Sequence, residues 1–258
     1  MKPYHLFSRH VLQNRPGWLT QSVVILALIL FNLLLFADPF LDLKLAIFFW
    51  NTGIQPTGAD GSLVDISRMV NRCIPWLAGG MVSLALGIFL LSLFHVRWRK
   101  HRYHALFFVL ILAFGPGLMV NVLLKPHTGR PRPKQTRLLG GPHDYRPPFR
   151  IMEPKAGYSF PSGDSSVGFS LAGFYFIFYR RSSRLALMSL FGAVALGTGI
   201  GLTRMVLGAH FASDIAWSAI FLFLIMFVLY HFVLNIPGRE LREQNDPQNP
   251  QTPPPERI

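Results

Sequence analysis

Five stretches of this chain run for the length of a bilayer-crossing helix without one Asp, Glu, Lys or Arg: Trp18 to Ala37, Ile74 to Phe94, Ala105 to Leu124, Leu185 to Thr203 and Ile215 to Ile236. A hydrocarbon layer about 30 Å thick takes about 20 residues of apolar helix. Within it every backbone amide must be satisfied inside its own segment, which selects helix for runs of this kind. A sixth run, Ser165 to Tyr179, is shorter. It spans if its helix begins near Ser162, which puts Ser162, Gly163 and Asp164 at the outer rim. The fold class that follows is all-α, a polytopic membrane protein with six transmembrane helices. With 51% hydrophobic and 14% charged residues, the chain carries less charge than a soluble domain usually does.

The charged residues then orient the bundle. Lys2, Arg9 and Arg15 precede the first run, which is too long for a cleaved leader and reads as a retained signal anchor. Arg97-Trp98-Arg99-Lys100-His101-Arg102 and Arg180-Arg181-Ser182-Ser183-Arg184 form two short basic loops. The positive-inside rule puts all three in the cytoplasm, with both N- and C-termini. The net charge of +13 would suggest nucleic acid for a soluble protein. Here the basic residues lie between spans, so lipid phosphate is the expected partner and nucleic acid is not. A short interfacial helix is expected near 39–50, a Gly- and Pro-punctuated loop over 51–73, and a disordered cytoplasmic tail over 237–258 after a single domain at 1–236. Gly80, Gly87, Gly192, Gly197 and Gly201 are expected to let helices pack closely, and Gly115-Pro116-Gly117 to kink the third span. The lone cysteine, Cys73, excludes an internal disulfide and a multi-cysteine metal site.

One outer connection breaks the charge rule. Between 125 and 164, Lys125, Arg130, Arg132, Lys134, Arg137, Arg146, Arg150 and Lys155 face only Asp144 and Glu153 in the loop proper, a composition suited to an anionic headgroup. Three polar segments would share that side. The first is Lys125-Pro126-His127-Thr128-Gly129-Arg130-Pro131-Arg132-Pro133, where prolines hold the backbone extended and fix how Lys125 and Arg132 project. The second is Pro161-Ser162-Gly163-Asp164, where Ser162 caps a helix whose N-terminus favours an anion and Gly163 admits a ligand to the backbone. The third runs from Thr203 to Asp214. If helix starts at Phe211, His210 and Asp214 lie four apart on one face, so the carboxylate can bond one ring nitrogen and leave the other free. Arg204 is the nearest cation.

In order and spacing these segments resemble the signature of the type 2 phosphatidic acid phosphatase superfamily: Lys, six residues, Arg-Pro; Pro-Ser-Gly-His; Ser-Arg, five residues, His, three residues, Asp. Nine specified positions match, namely Lys125, Arg132, Pro133, Pro161, Ser162, Gly163, Arg204, His210 and Asp214. Thr203 stands where the superfamily has serine, and Asp164 stands where it has the histidine that protonates the leaving group. The stretch from Gly129-Arg130-Pro131-Arg132-Pro133 through Leu139-Gly140-Gly141 to Ser162-Gly163-Asp164-Ser165-Ser166 also resembles, more loosely, bacterial lipid A phosphatases.

The resemblance implies an integral membrane lipid phosphatase of a bacterial inner membrane, its site facing the periplasm, that removes phosphate without metal or other cofactor. Lys125, Arg132, Ser162, Gly163 and Arg204 would bind the phosphoryl group, His210 oriented by Asp214 would attack phosphorus, and Asp164 would serve as acid and then base. Lipid A, undecaprenyl diphosphate, phosphatidylglycerophosphate and phosphatidate are all substrates the motifs allow. Transfer of the phosphoryl group to a lipid acceptor and lipid transport are the rival activities, though the spans lack the mid-membrane ionisable residues that transport calls for, apart from His231, which is expected to face a helix neighbour near the inner boundary.

Overall fold

The computed structural model describes residues 17–53, 61–150 and 156–244. The expected signal anchor's basic lead at 1–16, the loop residues 54–60, Glu153 and Lys155 within 151–155, and the end of the tail from 245 lie outside the described residues. Among those described the regular secondary structure is helical, with no strand; an isolated bridge pairs Thr136 with His143. In chain order the helices are α1 (Gly17–Leu35), α2 (Phe40–Gly53), α3 (Ser62–Phe94), α4 (Arg102–Leu112), α5 (Gly163–Phe169), α6 (Gly173–Phe178), α7 (Ser183–Val206), α8 (Ala212–Val228) and α9 (Ile236–Gln244).

Five of these segments are long and apolar enough to cross a membrane: Gly17–Leu35, Ser62–Phe94, Val96–Gln135, Ser183–Val206 and Ala212–Arg242. Where the sixth span was expected, the chain forms α5, a 3₁₀ turn at Ser170–Ala172 and α6, shorter pieces that are not among the five. Their side chains explain the composition. Phe169, Ala172 and Phe176 are buried in the bundle core with Phe107 and Ile111 of α4 and Leu222 and Met226 of α8. Leu34, Met188 and Phe191, by contrast, are exposed on the outside, as lipid-facing residues would be.

α3 corrects the expected 51–73 loop. Helix begins at Ser62 and runs 33 residues, about 50 Å at 1.5 Å per residue, against a hydrocarbon core of about 30 Å. Its polar first turns therefore overhang one end of the bundle. The Gly and Pro signals that suggested a loop belong to the residues before Gly61.

α4 does not simply kink at Pro116. Proline supplies no amide to the ladder, and the helix widens into π geometry over Ala113–Leu124. The Asn121 side-chain amide donates to the Pro116 carbonyl at 2.7 Å and fastens the widened turn. The helix then closes with the turn Lys125–Thr128 and stops at Gly129, whose φ is +57°.

Of the glycines expected to aid packing, Gly197 and Gly201 do so. A Cβ on Gly197 would lie 2.3 Å from the Phe169 ring and one on Gly201 2.7 Å from Ile215. Gly80, Gly87 and Gly192 have no such neighbour within 4 Å, so helix contact does not account for them. At the other end of the bundle from the overhang, α9 occupies the start of the expected disordered tail. Glu240 anchors it to Arg181 at 2.9 Å and His104 at 3.3 Å. His231 is held by Gln21 of α1 at 2.7 Å and so faces a neighbouring helix.

Candidate active site

α4, α5, α7 and α8 all present a polar terminus at the overhanging end, and backbone hydrogen bonds tie the three motif segments together. The Ser159 amide donates to the Arg130 carbonyl at 3.0 Å, the Lys134 amide to Gly208 at 3.1 Å, and the Ser162 amide to the Asp214 carbonyl at 3.2 Å. The Ser218 hydroxyl, one turn along α8, donates to the Ser162 carbonyl at 2.9 Å. Sequence-distant segments thus meet in one frame. Gly208 turns the chain between α7 and His210 with φ +57°, and a Cβ there would sit 2.5 Å from the Trp50 indole.

His210 precedes α8 instead of lying on its first turn. Phe211 caps the helix in extended conformation, so the expected one-face pairing with Asp214 is replaced by an indirect one. The ring Nδ1 lies 2.6 Å from the Ser159 carbonyl and donates to it, while Asp214 Oδ2 is 3.6 Å from the same nitrogen, beyond hydrogen-bond range. Asp214 Oδ2 instead accepts from the Ser159 hydroxyl at 2.5 Å and the Phe211 amide at 2.8 Å. The carboxylate therefore fixes the residues on either side of the imidazole. With Nδ1 carrying the proton, Nε2 holds the lone pair. Burial pushes the His210 pKa below 6.5; the charge of Asp214 opposes that shift, and Arg204 and Lys125 add to it.

Behind Asp214 stands a cation that the sequence reading counts only among the loop's basic residues facing a headgroup. Arg130 is 1% exposed. It donates to Asp214, to Ser213 Oγ at 2.8 Å, to Asp42 Oδ2 at 2.8 Å, to Tyr145 at 3.1 Å and to the Arg146 carbonyl at 2.7 Å. Its guanidinium also lies 4.4 Å from the centre of the Phe211 ring. Asp42, expected on an interfacial helix, is fully buried and accepts the Ser213 amide at 2.9 Å and the Tyr145 hydroxyl at 3.0 Å. Burial and the Asp42 charge hold the Tyr145 phenol protonated, its pKa well above the usual range. A lone acid in the apolar run of α2 and the doubled arginine of Gly129-Arg130-Pro131-Arg132 were the signals available for this pair.

Of the expected phosphate-binding residues, Lys125 and Arg132 are half-buried, while Ser162, Gly163 and Arg204 are buried. Lys125 Nζ donates to Asn121 Oδ1 at 3.0 Å, so Asn121 links the π segment to this ammonium; an amide in an apolar run one turn before a lysine was its clue. A Cβ at Gly163 would come within 3.0 Å of Lys125 Nζ, which is why that position is bare. Ser162 is the N-cap of α5 and is wholly buried, its hydroxyl donating to Ser165 Oγ at 2.9 Å. Arg204 Nε sits 3.0 Å from Asp164 Oδ2 but makes no aligned hydrogen bond. Arg132 lies within electrostatic range of both Lys125 and Arg204. Among the described residues no cluster of His, Cys, Asp and Glu has the arrangement of a metal site.

Lipid-length helices ending in a cationic cluster beside an imidazole define a helical integral membrane protein with a polar, positively charged site at one end of its bundle. The sequence pattern of the PAP2 superfamily matches residues 104–237, and the chain belongs to that superfamily. Lipid A 4'-phosphatase of Francisella tularensis subsp. novicida is 34% identical over 196 residues, covering 74% of this chain and 86% of that protein. Lipid A 4'-phosphatase of Rhizobium etli is 37% identical over 108 residues, 40% of each chain. No solved structure gives a significant match.

Proposed function

We propose that the protein is a bacterial membrane lipid phosphatase acting on a phosphorylated glycolipid headgroup of the lipid A kind, as its relatives' names suggest. Six spans with cytoplasmic termini would put the site at the periplasmic face of the inner membrane; the basic loops at the opposite end of α4 and α7 support this orientation. The domain would run from 1 to 236.

The observation that carries the chemistry is the buried His210, with Nδ1 committed to Ser159 and Nε2 left as a lone pair. In the reading it supports, Lys125, Arg132, Arg204 and the Gly163 amide hold the phosphoryl oxygens, and Ser162 shapes the helix start behind them. Nε2 attacks phosphorus, the bond to the lipid oxygen breaks, and Asp164 gives that oxygen a proton. A water then gives its proton to Asp164 and attacks the phosphohistidine, releasing inorganic phosphate and restoring His210. The incoming phosphoryl group competes with Asp164 for Arg204, and two anions side by side favour a proton held between them. No step uses a metal.

Phosphate release by purified protein from a phosphorylated lipid A precursor tests this reading. His210→Ala should abolish release, and wild-type protein should trap an acid-labile, base-stable label on residue 210. Release by His210→Ala at the native rate would overturn the assignment, and a strict divalent-metal requirement would overturn the metal-free route.

A further inference from the structure

Beside the phosphoryl site lies a cavity of about 450 Å³, within the roughly 300–1,000 Å³ common for small-molecule sites. It shares Arg132 and Arg204 with that site, while Trp50, Arg68, Asn71 and Lys134 supply much of the rest of its wall. Trp50 ends α2, and Arg68 and Asn71 lie on the overhang of α3, so three of these four precede the residues 104–237 that match the superfamily. We infer that this cavity is a sugar-binding subsite that receives the ring carrying the scissile phosphate.

The chemistry of the wall selects the occupant. The Trp50 indole is braced against Gly208, 2.5 Å from where a Cβ would be, which fixes an aromatic plate to stack against the C–H face of a pyranose. Asn71 offers both a donor and an acceptor for ring hydroxyls. Arg68 is steered by Asp65 at 3.4 Å and keeps 48% of its side chain exposed. Together with Lys134 it adds positive charge beyond the two arginines of the phosphoryl site. Among the described residues the lining contains three arginines, a lysine and no carboxylate, which disfavours ammonium headgroups and favours a hydroxyl-rich, anionic one. The apolar contribution comes from Val64, Val206, Leu207 and Ala209, too little to form a channel for an acyl chain. The catalytic half would thus be common property of the superfamily, and the overhang would supply the choice of headgroup.

This assignment rests on the phosphatase reading, and its test separates the two. The kcat/KM for a lipid-linked glucosamine phosphate is compared with that for phosphatidate in wild type, Trp50→Ala, Asn71→Ala and Arg68→Gln. Binding of the glucosamine lipid to each variant is also measured in a His210→Ala background, where no turnover is needed. The ratio of the two kcat/KM values should fall about tenfold in each variant, the scale of one lost polar or stacking contact, with a matching loss of binding. If Trp50→Ala does not fold, the Asn71 and Arg68 variants carry the test. Equal losses on both substrates, no loss, or sugar-lipid binding no tighter than phosphatidate binding in the His210→Ala parent would overturn the subsite. Absent turnover by the wild type with intact, Trp50-dependent sugar binding would instead sink the phosphatase reading and leave the subsite standing.

Discussion

Replacing Arg130 by methionine removes the one guanidinium shared by two fully buried carboxylates, Asp42 and Asp214. The stem volume stays filled, so the loss is electrostatic and not a cavity. Breaking a buried ion pair by deleting one partner costs about 3–5 kcal/mol, because the other charge stays desolvated. At about 2–4 °C per kcal/mol for a domain of this size, that is a fall in Tm of roughly 6–20 °C. Activity at a temperature where the variant remains folded should fall about 10–100-fold, the range found when partners behind a functional group are removed. Asp214 would then lose its restraint, and with it the Ser159 carbonyl that fixes the His210 tautomer. A double-mutant cycle sharpens the test. Asp42→Asn should destabilise the wild type, where it removes an acceptor from Arg130, but should be neutral or stabilising in Arg130→Met, where it removes an orphaned charge. Wild-type melting of Arg130→Met, or the same cost of Asp42→Asn in both backgrounds, would refute the network.

Further outcomes follow from the same geometry. The His210 imidazole should titrate below 6.5 in ligand-free protein by NMR, lower still in Asp214→Asn and higher in Lys125→Met, since those charges oppose and reinforce the effect of burial. Because the unfolded histidine binds a proton that the folded one resists, the residue should also subtract stability as pH falls through 6.5. Asn121→Leu should reduce kcat/KM by about tenfold through loss of one hydrogen bond positioning Lys125, with His210 labelling slowed in step; unchanged labelling would exclude the link. Gly163→Ala should weaken phosphate-analogue inhibition, because its methyl would sit 3.0 Å from Lys125 Nζ, while the Tm changes by less than about 1 kcal/mol equivalent. Gly197→Leu should prevent recovery of folded protein from detergent, as its side chain would enter the Phe169 ring.

The apolar runs made the long helices legible, since length and absence of charge suffice to define a span. Spacing also made the catalytic candidates legible: Lys125, Gly163, Arg204, His210 and Asp214 do converge. Their partners were hidden for different reasons. Asp42 lies 88 residues from Arg130, and no local periodicity reports so distant a pairing. Ser159 acts on His210 through its carbonyl, a group every residue has. The first turns of α3 carry Arg68, Asn71 and Arg72 and follow a Gly- and Pro-rich stretch, so polarity there signalled a loop, although nothing between Ser62 and Phe94 ends the helix, which runs on even through Pro75. The four-residue spacing of His210 and Asp214 does bring the two side chains near each other, but it did not report that Asp214 would cap the Phe211 amide and leave the imidazole to the Ser159 carbonyl.

The π segment of α4 has a consequence for how such a site can drift. Each residue added to or removed from an α-helix swings everything beyond it by roughly 100°, so a wholly α-helical span would lock the bearing of its polar tip to the packing of its buried half. Widened turns at Ala113–Leu124 act as a phase adjuster, letting Phe107 of the lower half keep its seat against Phe176 and Tyr230 while the ammonium at the top takes its own heading. Shortening that stretch by one residue would aim the same lysine at the wrong neighbour.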